Sequence, residues 1–144
     1  MMREFRPDWT EYGISKQRYV ELKGFCRQYP EWKSEASSLI GIGAQNYGER
    51  VMSSDHTSTV VRIAERREEL INKILLIESV AMAIDGGEWF AALIQNVCLG
   101  KPLSCIDPLI MPTSRRNEYY TARRKFFILL NSKHKVDTPG APNP

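Results

Sequence analysis

Five cations fall within eleven residues near the end of this chain, Arg115, Arg116, Arg123, Arg124 and Lys125, against the single acid Glu118 and beside the amide of Asn117. A guanidinium fork pairs with O6 and N7 of guanine, and an asparagine amide pairs with N6 and N7 of adenine. In the first turn of a helix, Arg115, Arg116 and Asn117 are therefore placed to reach base edges. Arg123, Arg124, Lys125 and the upstream Lys101 are placed to hold phosphates, which sets register and salt dependence without reading sequence.

A helix has to carry these groups. Pro112 limits what precedes it, and either Thr113 or Ser114 offers a side-chain oxygen to the free N–H groups of the first turn. Tyr119, Ala122, Phe126, Leu129 and Leu130 recur at spacings of three and four, which predicts one apolar stripe with the cations mostly away from it. Surface helices often carry cations merely because long stems lie over apolar neighbours. Distribution argues for more than that: residues 101–135 hold eight Lys and Arg against two acids, a local balance of plus six in a chain whose net charge is +3. Segregated positive charge is what phosphate binding needs.

The elements before this helix follow from breakers and periodicity. A helix through Trp89, Phe90, Leu93, Ile94 and Val97 closes at Gly100, and a short helix over 103–107 is expected between Pro102 and Pro108. With the basic helix this predicts a helix-turn-helix whose last helix enters the major groove. Upstream, Val60, Ile63, Leu70, Ile74, Ile77, Ala81 and Ile84 predict a long helix over Ser58–Ile84. It serves either as a core helix or, through Val60–Ile84, as the seam of a homo-oligomer. Ser15 caps a helix to about Tyr29, Pro30 opens a second that ends at Gly41, and 14–41 reads as a helical hairpin. Residues 42–57 read as a linker, 1–13 as a flexible arm with Phe5 and Trp9, and the proline-bearing 133–144 as a disordered tail. The expected unit at 58–132 is the long helix plus the helix-turn-helix. The expected fold is all-α, a helical bundle with a long central helix and a C-terminal helix-turn-helix.

Composition excludes several classes. No apolar run approaches the roughly 20 residues of a membrane span, and the first residues lack the apolar stretch of a signal peptide, so the expectation is a cytoplasmic protein with no membrane partner. Cys26, Cys98 and Cys105 each sit among apolar residues and form no Cys-x-x-Cys pair, which predicts reduced, buried thiols. His56 and His134 have no ligand spacing to them, and the glycines of 41–48 lack the Gly-Lys-Ser/Thr of a phosphate loop, so neither metal nor cofactor is expected. Glu65, Glu68, Glu69 and Glu78 read as solvated partners of Arg66, Arg67 and Lys73, and no enzymatic activity is expected.

The segments Tyr12-Gly-Ile-Ser-Lys-Gln-Arg-Tyr19 to Tyr29-Pro-Glu-Trp32, Arg66-Arg-Glu-Glu-Leu70, and Arg115-Arg-Asn-Glu-Tyr-Tyr120 to Arg123-Arg-Lys-Phe-Phe127 resemble the RinA/ArpU-type phage late-gene transcriptional regulators over roughly 12–132. The resemblance implies a C-terminal helix-turn-helix similar to region 4 of sigma factors, with Ser114, Arg115, Arg116, Asn117, Tyr120, Arg123 and Arg124 facing double-stranded DNA. RNA polymerase is a further expected partner. Two other readings fit the same residues: a phage small terminase subunit that assembles into rings for DNA packaging, and an adaptor whose basic helix binds an acidic protein surface.

Overall fold

A computed structural model describes residues 13–48 and 54–134 of the 144, with side chains described for 13–40 and 58–134. Residues 1–12, 49–53 and 135–144, which take in all of the expected arm but Gly13, part of the expected linker and most of the expected tail, lie outside the described residues. The fold is all-α, and among the described residues there is no strand.

Helix α1 spans Lys16–Arg27 and begins as its sequence predicts, with Ser15 Oγ accepting the Arg18 N–H at 3.1 Å. Its inward side buries Leu22 and Cys26. The chain then scarcely pauses: Gln28 keeps right-handed helical angles, and α2, Tyr29–Gly48, carries Pro30 in its first turn, where a missing N–H costs nothing. The helix does not end at Gly41, where the sequence predicts its stop. It continues to Gly48, and the next helix already runs at Ser54, so most of the expected linker is helical. Each glycine lowers helix propensity by about 1 kcal/mol without forbidding it. The residue that does forbid helix, proline, is absent between 31 and 57.

Helix α3, Ser54–Ala83, is the long central element. Leu70, Ile74, Ile77, Val80 and Ala81 are buried on one stripe, while its described residues before Leu70 include none that is fully buried. The α2 and α3 pairing is the most extensive between helices, and Arg66 crosses it to Glu35 at 2.8 Å. The chain reverses at Ile84–Gly87, where Asp85 and Gly86 adopt left-handed angles (φ 48° and 71°). Only glycine takes such angles freely, which makes Asp85 the one strained residue of the turn.

A single turn, α4 at Phe90–Leu93, widens into a π turn at Ile94–Cys98. Gly100, at φ 74°, lets the Lys101 N–H fold back to the Gln95 carbonyl at 3.0 Å. The helix expected between Pro102 and Pro108 is only a 3-10 turn, Leu103–Cys105. Pro108 has no N–H and steers the residue before it away from helical angles. Asp107 Oδ1 also accepts the Leu109 N–H at 2.9 Å, a side-chain turn that competes with helix. Thr113–Arg115 form another 3-10 turn without a side-chain cap, so neither Thr113 nor Ser114 caps as expected; the Arg115 N–H goes to the Pro112 carbonyl instead.

Helix α5, Arg116–His134, closes the structure and buries Tyr119, Ala122, Phe126, Phe127 and Leu130. These join α1, α2, α3 and the π turn in one core. Cys26 and Cys98 are buried free thiols in that core, and the hydrogen bond that Cys26 shares with Cys98, followed by burial, pushes the Cys26 thiol up. Cys105 is exposed, contrary to expectation, because the 3-10 turn that carries it lies outside the core. No described helix is long and apolar enough to cross a membrane.

Candidate nucleic-acid interface

The cations of α5 do not form one outward face. Counting at 100° per residue from Tyr119, the directly outward positions are Asn117, Thr121 and Ile128, all exposed, and none is charged. Ser114 is exposed in the preceding turn. The cations lie along the two flanks, and the flanks differ in their company.

One flank meets the turn after α3. Arg115 pairs with Glu88 and with Glu118, and its guanidinium lies 4.6 Å from the centre of the Trp89 ring. These carboxylates hold its guanidinium above the ordinary arginine value. Lys125 Nζ lies 2.9 Å from Asp85 Oδ1. Each expected DNA contact on this side already has a carboxylate partner within the chain.

The other flank meets α1. Arg116, Tyr120 and Arg124 are half-buried at spacings of four, and Arg123 lies beside them. Arg123 donates to the Tyr19 hydroxyl at 2.8 Å, with its guanidinium 5.8 Å from the Phe127 ring centre. It is thus turned towards the apolar stripe rather than away from it, because Phe127 and Tyr19, with ring centres 4.9 Å apart, give its stem a floor. Arg18 ties the same two helices by donating to Asn131 Oδ1 at 2.8 Å.

Two residues of this flank, Lys23 and Arg27, are not among those that the sequence singles out. Lys16, Tyr19, Lys23 and Arg27 recur at spacings of three and four on α1, so Lys23 and Arg27 lie along the ridge that begins beside Arg123. The i,i+4 cations beside a tyrosine were a visible signal, but nothing local said that α1 lies against α5. Burial, and then the charges of Arg123 and Arg27, hold the Lys23 ammonium below the ordinary lysine value. Arg27 Nε donates to the Val97 carbonyl at 3.0 Å, and its guanidinium packs onto Gly100, next to the exposed Lys101. Among the described residues, Lys23, Arg27, Arg116 and Arg123 form no ion pair with a carboxylate.

The flank is held in place by a short polar relay. Buried Tyr119 donates its hydroxyl to Asn96 Oδ1 at 2.8 Å, and Asn96 Nδ2 donates to the Lys101 carbonyl at 2.9 Å, so α5 fixes the position of the π turn and of Lys101. Burial pushes the Tyr119 phenol well up. Among the described residues no cluster of His, Cys, Asp and Glu is arranged to hold a metal. No family model matches this sequence, and no curated protein or solved structure matches it either.

Proposed function

We propose that this protein binds double-stranded DNA and acts as a transcriptional regulator, with the α1-facing flank of α5 as its phosphate-binding side. The observation that carries this reading is the inequality of the two flanks. One has its cations paired with carboxylates, whereas the other gathers Arg116, Arg123, Lys23 and Arg27 without one among the described residues. Like charges kept together at a cost to the fold are best explained by a polyanion that neutralises them on binding. Ser114, exposed in the turn before α5, Asn117, exposed in its first turn, and the half-buried Arg116 are the groups offered to base edges, with Arg124 and Lys101 on phosphates.

The test is fluorescence anisotropy of labelled duplexes titrated with salt, comparing the promoter region nearest the gene with scrambled DNA of equal length. A regulator prefers its own site by about a hundredfold or more at moderate salt. Arg116→Ala is expected to relax that preference, and Arg124→Ala to weaken all duplexes alike. Equal binding of both duplexes that modest salt abolishes would remove the regulator reading.

One observation favours packaging as a second reading. Val61, Leu75 and Met82 are 47%, 53% and 53% exposed on α3, at spacings of fourteen and seven residues, as on a helix that meets other copies. Native mass decides: a ring of about eight or more subunits favours a small terminase subunit, and a monomer or dimer favours a regulator.

A further inference from the structure

We propose that Lys23, Arg27 and Arg123 form a preorganised binding site for a phosphate group, built jointly by α1, the end of the π turn and α5. The site stands independently of whether the phosphate belongs to a duplex backbone or to a free oligophosphate.

Three features of the geometry support it. Each arginine is anchored through one edge and keeps the rest of its fork for a ligand. Arg123 spends one Nη on the Tyr19 hydroxyl, and Arg27 spends its Nε on the Val97 carbonyl. A guanidinium has five N–H donors, so most remain on both residues. Anchoring through neutral oxygens also leaves the positive charge uncancelled, unlike the carboxylate pairs that hold Arg115.

Lys23 is the second feature. It is one helical turn before Arg27 and one after Tyr19, so its ammonium belongs to the same ridge and feels both guanidinium charges. Two forks flanking a point charge suit a tetrahedral anion, whose oxygens accept from several directions at once.

Gly100 is the third. A Cβ there would stand 2.5 Å from Arg27 Nη1 and 2.9 Å from Cζ, so the guanidinium occupies space that any other residue would fill. The same glycine holds φ 74°, which directs Lys101 onward beside the site. Gly100 is therefore a positioning residue: it has no donor for the anion, yet it decides where the Arg27 fork rests.

The test uses the full chain and two probes. Sodium tripolyphosphate is titrated by calorimetry against sodium chloride of equal ionic strength, and a 20-base-pair duplex is titrated by anisotropy over a salt series. Lys23→Gln, Arg27→Gln and Arg123→Gln should each weaken tripolyphosphate about tenfold, the effect of losing one charged hydrogen bond. Lys33→Gln, a charge removed from α2, should change nothing. Gly100→Ala should mimic Arg27→Gln with all charges retained; if it fails to fold, Lys23→Gln still decides. Where the same variants weaken the duplex and lower its salt slope by about 0.9 each, the phosphate is that of a nucleic-acid backbone. Tripolyphosphate binding with no duplex binding keeps the site and removes the DNA reading. If the three substitutions change neither titration, the site is wrong, and a duplex that still binds leaves the DNA reading intact.

Discussion

The two flanks of α5 are built from the same residue types on the same helix, and they differ only in what packs beside them. On one side the turn after α3 brings Asp85 and Glu88, and Arg115 and Lys125 become internal ties. On the other, α1 brings Lys23, Arg27 and a tyrosine hydroxyl, and positive charge accumulates around Arg123. A cation on a helix is thus a structural tie or a ligand group according to its neighbour, and counting charges along the chain cannot distinguish them. The difference also gives an expected direction: ion pairs on the balanced flank should contribute a little to stability, whereas like charges on the other should cost a little.

The largest test of this contrast removes its floor. Phe127 lies fully buried beneath both Tyr19 and Arg123. Phe127→Ala should destabilise the protein by about 3–5 kcal/mol in urea unfolding. A loss below about 1 kcal/mol, the range of a surface substitution, would mean that α1 is not seated on α5 and that the two flanks do not differ as described.

Next in size is the salt dependence of duplex binding. Lys23→Gln with Arg123→Gln should lower the log–log salt slope by about two units, near 0.9 for each phosphate that the variant no longer neutralises. Arg115→Gln and Lys125→Gln should leave that slope unchanged and instead lower stability slightly, as the loss of exposed ion pairs does. The contrast fails if all four substitutions flatten the slope equally.

Tyr119→Phe should cost about 1 kcal/mol by removing the hydrogen bond to Asn96. It also has a signature in pH. The Tyr119 phenol is raised above its ordinary value of 10.0, so above that pH the folded chain keeps a proton that the unfolded chain releases. Stability should therefore hold below about pH 10 and fall as pH rises beyond it, less steeply in Tyr119→Phe. Denaturant midpoints between pH 8 and pH 11 measure it, and identical curves for the two proteins would contradict the burial of this hydroxyl.

The smallest effect has the opposite sign. Lys23 is held below its ordinary 10.5, so between its folded and unfolded values the unfolded chain binds more protons and stability rises with pH. Lys23→Gln should remove that rise and, at neutral pH, raise stability by about 0.2–0.5 kcal/mol, the cost of a like-charged i,i+4 pair. A variant that is more stable yet binds phosphate less well would identify the cluster as kept for a ligand. Equal or lower thermal stability would show that no such cost exists.

Much of the fold was legible because it is local. Ser15 caps α1, the three-four spacing through Leu70, Ile74, Ile77 and Ala81 marks the buried stripe of α3, and Asp85-Gly86 stops it, each within a few residues of its cause. Two local readings went astray for local reasons as well: glycines 41 and 43 lower helix propensity without ending a helix, and the prolines at 102 and 108 left room for one 3-10 turn where a helix was expected. Of the candidate site, the basic stretch and Lys101 were visible, but Lys23 and Arg27 were not, because Arg123 and Val97, which they meet, lie far away along the chain.

By itself the sequence determined an all-α chain, the positions of its helices to within a turn at most ends, and the crowding of positive charge after residue 100. Periodicity, caps and composition act over one or two turns, and each of these properties is set at that range. Which cations are neutralised was decided only in three dimensions, when α3's closing turn placed Asp85 and Glu88 on one side of α5 and α1 placed Lys23 and Arg27 on the other. Coulomb interactions depend on distance through space and not along the chain, so pairing could be settled only by packing.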